Sequence, residues 1–248
     1  MTPRITFAVA ARVLTQIRRD HRTLAMLLVL PCLLISLLWW MFDGPAAGPS
    51  PMFDRFGPGL LAIFPFMVMF LVTSVTTLRE RSSGTLERLL AMPMGKVDFL
   101  LGYAIAFGVL AAVQSLLAVV LSVYVLDLEV DGPVWLLGVV AVVDAVLGTA
   151  LGLFVSAFAN TEFQAVQFMP LAVVPQILLC GLFVPRPALP DVLQVISDLL
   201  PLSYATDAMT DLKHGEETAQ IFGLLGIVAG FAVGVLILGA ATLRRRTA

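Results

Sequence analysis

Nothing in this chain can cradle ATP. The phosphate-binding loop G-x-x-x-x-G-K-[ST] is missing: only Lys96 is a lysine that follows a glycine, and Leu90 stands where the first glycine is required. H-E-x-x-H and G-x-S-x-G are absent too, so neither a zinc peptidase nor a serine hydrolase is indicated. Histidine occurs twice, at His21 and His214, far apart and in polar flanks, which suggests no metal site. The two cysteines, Cys32 and Cys180, lie inside apolar runs and read as small hydrophobes. Chemistry inside a membrane would need inward-facing His, Asp or Ser, and no apolar run of spanning length holds a histidine. The chain is therefore expected not to be an enzyme, to bind no cofactor of its own, and to have no nucleic-acid partner.

Charge is scarce as well. Of 248 residues 13% are charged and 59% hydrophobic, and the mean hydropathy is +0.98. A soluble domain has about 25% charged and about 45–50% apolar residues. Water would not tolerate this much apolar surface, so the chain is an integral membrane protein. A spanning helix needs roughly 20 apolar residues. Six stretches qualify: Leu24–Phe42, Gly59–Leu78, Phe99–Leu126, Val134–Ala159, about Phe163–Val184 and Ile221–Leu243. Pro31, Pro65, Pro170 and Pro175 fall inside them, which a bundle tolerates because neighbours satisfy the freed carbonyls. The fold class is all-α, one transmembrane domain over residues 1–248: an interfacial helix over 1–22, spans one to five over 24–184, an outer segment over 185–217 and span six over 221–243.

Basic residues set the orientation. With six spans both termini share a side, which carries 12 of the 15 Lys and Arg. The other side has Arg55, Arg186 and Lys213 among many acids. Both termini are expected in the cytoplasm of a cell (inner) membrane protein. At the N-terminus, arginines interrupt the apolar residues, so no signal peptide is read. Ile5, Val9, Val13 and Ile17 recur every four positions, the spacing of an amphipathic helix lying on the membrane.

Three polar features remain. The block "RERSSGTLERLLAMPM", Arg79 to Met94, separates spans two and three. Leu86, Leu89 and Leu90 fall on one face of a short helix from about Thr85 to Met92, and Pro93 discourages continuation. It is either an interfacial anchor or a dock for a cytoplasmic partner. Between spans five and six, "PDVLQVISDLLP" and "LSYATDAMTDLKHG" read as two helices too short to span, dipping into the outer leaflet or lying on it. Asp144 is the one carboxylate well inside a span, on a face with Gly148, Gly152 and Ser156. Such small residues suit close helix packing. Asp144 marks either a polar patch in a transport path or subunit interface, or a carboxylate hydrogen-bonded at a helix contact. A second stripe, Gly226, Gly230 and Gly234, packs either within the chain or against another subunit.

"RERSSGTLERLLAMP", followed far downstream by "CGLFVPRPALP" and "LLPLSYATDAM", resembles the ABC-2 family of transporter permeases, most of all its drug-export branch typified by daunorubicin-resistance permeases. The resemblance covers essentially the whole chain. It implies an exporter of two permease subunits, identical or related, with two copies of a cytoplasmic ABC ATPase that hold ATP and Mg. It implies a coupling helix after span two, with Arg79, Glu80, Gly84, Thr85, Leu86, Glu87 and Arg88 as ATPase-coupling residues. It also implies re-entrant helices before the last span, where Pro185, Pro201, Tyr204 and Asp207 lie. Ser82, Met92 and Thr210 depart from the residues common in the family and bear on the details of these contacts. The expected function is export of a hydrophobic or amphipathic drug or lipid. Export of a polysaccharide or lipid-linked glycan is the alternative, which three Tyr and three Trp serve poorly. A non-transporting assembly factor is the alternative from another class.

Overall fold

The structure is a computed structural model and describes residues 3–43, 52–82 and 96–242. Among them it is all-helical. Nine α-helices follow in chain order: α1 (Pro3–Arg19), α2 (His21–Asp43), α3 (Met52–Ser82), α4 (Lys96–Tyr124), α5 (Val134–Ser156), α6 (Glu162–Leu179), α7 (Asp191–Asp198), α8 (Pro201–Lys213) and α9 (Thr218–Thr242). Six of them, α2 to α6 and α9, are long and apolar enough to cross a membrane. Helices α2, α3 and α6 run on through their internal prolines.

Helices α3 and α5 form the centre. No other described pair packs so extensively, and glycine is the reason. A Cβ on Gly148 would stand 2.4 Å from the Phe66 carbonyl oxygen, and one on Gly152 2.5 Å from that of Phe70. Backbone meets backbone there, as small residues allow between membrane helices. The core around them is made of Leu61, Phe66, Phe70, Leu137, Ala141 and Leu147, all fully buried. The remaining spans lie around this pair.

Helix α1 buries Val9, Val13 and Ile17, the face that the four-residue spacing predicts, against α4. The approach is close: a Cβ on Gly102 of α4 would lie 2.7 Å from Val9 Cβ.

Several expected boundaries shift. The fifth span stops at Leu179 rather than Val184, because Gly181 takes a left-handed φ of 93° and the chain turns at Cys180–Val184. The third ends at Tyr124 and the fourth at Ser156, while the last begins at Thr218. The interfacial helix and the first span meet at Asp20, whose carboxylate accepts hydrogen bonds from the Thr23 amide (3.1 Å) and hydroxyl (2.7 Å) and so caps α2.

Among the described residues the glycine stripe of α9 packs against nothing: a Cβ at Gly226, Gly230 or Gly234 would meet no atom within 4 Å. That favours the reading of the stripe as a contact with another subunit.

Candidate functional site

The end of α3 carries Arg79 and Glu80 into the block that separates the second and third spans. Successive helical residues point about 100° apart, so the two reach different neighbours. Glu80 turns inward and is buried. Arg12 of α1 binds both of its carboxylate oxygens, at 2.9 and 2.8 Å, and donates to the Tyr103 hydroxyl of α4 at 2.9 Å. Arg79 turns outward. Its guanidinium makes two parallel bonds, each 2.9 Å, to the Glu162 carboxylate at the start of α6. That start is fixed locally: Thr161 accepts from the Gln164 amide, and the Gln164 side chain returns to the Asn160 amide.

The two pairs differ in strength. Arg79 and Glu162 are about half exposed, and such a pair contributes about 0.2–1 kcal/mol. Glu80 is 6% exposed and Arg12 35%, so breaking theirs costs about 2–4 kcal/mol, below the full penalty for a buried pair because Arg12 still reaches water.

At the far end of α6, Arg186 organises the segment that leads to α9. It binds Asp198 at the end of α7, Asp207 of α8 and the Ser197 hydroxyl, and lies over the Tyr204 ring at 5.2 Å. The Tyr204 hydroxyl donates to the Asp198 carbonyl at 2.7 Å. Pro185 precedes the turn Arg186–Ala188, and Pro201 opens α8, where a missing N–H costs nothing. Burial raises Asp207 above the usual carboxylate range, and the Arg186 guanidinium opposes that rise. The segment is tied to the α4–α5 turn by backbone bonds from Asp131 and Gly132 to Lys213 and Leu212, at 3.1 and 2.9 Å. A cavity of about 690 Å³ opens here, lined by Arg55, Arg186, Asp207, Asp211 and Lys213 around a floor of Gly59, Cys180 and Thr206.

Asp144 lies in α5, one turn before Gly148. It is fully buried, and neither carboxylate oxygen has a hydrogen-bond partner among the described residues. Among the described residues, then, no hydrogen bond at a helix contact holds Asp144. Gly148 and Gly152, one and two turns on, are occupied by α3 of the same chain.

The sequence matches the family described as ABC-2 type transporter over residues 5–212. The chain belongs to that family. It is similar to ABC transporter G family member 20 of Dictyostelium discoideum, 26% identical over 163 residues, which are 66% of this chain and 22% of that protein. It is similar to the probable multidrug ABC transporter permease YbhR of Escherichia coli K12, 27% identical over 150 residues, 60% of this chain and 41% of that one. The linearmycin resistance permease protein LnrN of Bacillus subtilis 168 is 25% identical over 187 residues, 72% and 48% of the two chains. The chain spans less than half the length of each of these relatives.

This ABC-2 family chain is thus a multi-pass membrane protein, with six helices long and apolar enough to span. Of its expected coupling residues, Arg79 and Glu80 are placed as above. Gly84, Thr85, Leu86, Glu87 and Arg88 lie outside the described residues. The partners of the first two, Arg12, Tyr103 and Glu162, have no local sequence signal. Arg186 did carry one, as one of three cations on a side holding many acids.

Asp144 gives a direct test. A buried polar group without partners costs roughly 1–3 kcal/mol, so Asp144→Leu is expected to melt higher than the wild type in detergent. An unchanged or lower melting temperature would mean that some contact in the assembled transporter satisfies the carboxylate.

Proposed function

We propose that this chain is the permease subunit of an ATP-driven exporter that moves a hydrophobic or amphipathic drug or lipid out of the cell. It is one transmembrane domain in the inner membrane, with both termini cytoplasmic. Two copies of a separate ABC ATPase hold ATP and Mg, and a second permease, identical or related, completes the pore. The observation that carries the reading is family membership in a chain with no phosphate-binding loop of its own. Such a subunit needs a surface through which an ATPase acts. Residues 84–88 supply it, since they continue directly from the end of α3, where Arg79 and Glu80 join three other helices. The drug and lipid class is supported by the printed names of the bacterial relatives and by a charged outer cavity of drug-like volume above an apolar bundle.

ATP-driven closure of the two ATPase subunits displaces the docked segment. That changes the relative stability of two arrangements of the helices. Transport follows only if the substrate binds those two arrangements differently.

Leu86→Asp and Glu87→Ala are expected to leave the chain folded and inserted while separating ATP hydrolysis from transport. The measurement is hydrolysis and export by the purified complex in proteoliposomes. Normal substrate-stimulated hydrolysis together with normal export in both variants would sink the docking role. A neighbouring gene for an ATPase with a phosphate-binding loop is the inexpensive first check.

A further inference from the structure

We infer that Arg79 and Glu80 form a fork that divides the drive from the docked ATPase between a fixed arm and a releasable arm, with Arg12 and Glu162 as its positioning residues. The inference rests on the reading of residues 84–88 as the ATPase dock.

The fixed arm is Glu80. Its carboxylate is buried, and one Arg12 nitrogen binds both of its oxygens while also donating to Tyr103. Arg12 belongs to α1, and α1 is seated on α4 at several further points. Val9 lies against Gly102, and the Thr6 hydroxyl donates to Asp98 at 3.3 Å. The end of α3, the interfacial helix and the start of α4 therefore form one block. A push at the segment after Ser82 reaches all three together, because separating them would desolvate or strand a buried charge.

The releasable arm is Arg79. Its partner Glu162 is the first residue of α6, and both side chains reach water. Over most of its length α6 is held by packing and hydrogen bonds: Val173 belongs to the main core, the Leu179 carbonyl accepts from the Ser197 hydroxyl at 2.8 Å, and the Gln176 side chain accepts from the Leu202 amide at 3.4 Å. At its start, among the described residues, it shares a small cluster with α3, formed by Leu78, Ala159 and Ala165 with Phe168 against it, while Phe163 and Val166 are exposed. A water-exposed pair is weak enough to open and re-form in each cycle. The block then moves as a unit, and the start of α6 is loosened from α3 when the Arg79–Glu162 pair opens.

The test locks each arm in turn. In a Cys32→Ala, Cys180→Ala background, the pairs R79C/E162C and R12C/E80C are joined by a short bis-methanethiosulfonate, which a reductant removes. The complex with its ATPase is reconstituted, and ATP-driven export of daunorubicin, a fluorescent amphipathic drug, is followed beside hydrolysis. Locking R79C/E162C is expected to lower export about tenfold, a loss recovered on reduction, while locking R12C/E80C leaves at least about half. The charge exchange R79E/E162R leaves the Arg12–Glu80 pair untouched, and is expected to regain most of the export per ATP that R79E alone loses. Unchanged export with R79C/E162C locked, or no recovery in the charge exchange, overturns the fork. A wild-type complex that exports nothing on adding ATP counts against the exporter reading, and the fork falls with it.

Discussion

Valine at position 148 is expected to unseat α5 and to leave little correctly assembled chain. The Cβ it adds would stand 2.4 Å from the Phe66 carbonyl oxygen and 3.1 Å from that residue's carbonyl carbon and Cα. These are backbone atoms of a neighbouring helix and cannot rotate away. Relief requires α3 and α5 to separate, which opens the tightest contact of the bundle along its length. Overpacking a core usually costs about 1–3 kcal/mol, and a clash against backbone belongs at or beyond the top of that range. Gly152→Val should behave the same way, with 2.5 Å to the Phe70 carbonyl oxygen. The contrast is Gly226→Val or Gly230→Val, whose added Cβ meets nothing within 4 Å among the described residues. The checks are the yield of monodisperse protein in detergent and its melting temperature. Wild-type values for Gly148→Val would mean that α3 and α5 do not meet as described. Loss of the complex, but not of the chain, in Gly230→Val would place α9 against another subunit.

The contrast between the two glycine stripes shows what a sequence of this kind reveals. Period and composition were enough for six spans, for the buried face of α1 and for the two short helices before the last span. These are local properties, in which hydropathy and spacing decide the outcome. The two stripes have the same spacing, yet one is packed against a helix and the other is open. Which neighbour a helix meets is a tertiary matter that spacing does not encode. The same holds for the junction at the end of α3. Arg12 and Glu80 are 68 residues apart, and Arg79 and Glu162 are 83 apart. Each looks in sequence like an ordinary interfacial charge. The end of the fifth span was misplaced because Phe183 and Val184 are as apolar as the helix before them, and hydropathy outweighed the turn signal of Gly181. Arg186 was legible in principle: an isolated cation on an acid-rich side needs partners, and Asp198 and Asp207 are those partners.

Removing that cation should release the outer segment. Arg186→Ala takes away the group that joins the Arg186–Ala188 turn to α7 and α8 and that lies over Tyr204. Arg186 is 14% exposed, Asp207 34% and Asp198 53%, so the pairs stand between buried and exposed. A loss of about 1–3 kcal/mol follows. Most of it comes from Asp207, which burial already raises above the ordinary carboxylate range and which Arg186 alone among its charged neighbours lowers; Asp211 and Asp198 both raise it. Without the guanidinium it rises further. A carboxyl whose value is raised on folding binds its proton more tightly in the folded state. Its favourable contribution is complete below the unfolded value and is lost as pH climbs through the raised folded value. The variant should therefore be least stable relative to wild type near neutral pH, and the gap should narrow as acid protonates Asp207. Adding Asp207→Asn, which removes the charge and keeps a similar shape, should return part of the loss at neutral pH. Melting temperatures of the three proteins at mildly acidic and neutral pH decide it. A gap between Arg186→Ala and wild type that stays constant or widens on acidification would show that the stacking on Tyr204, not the charge on Asp207, is what Arg186 contributes.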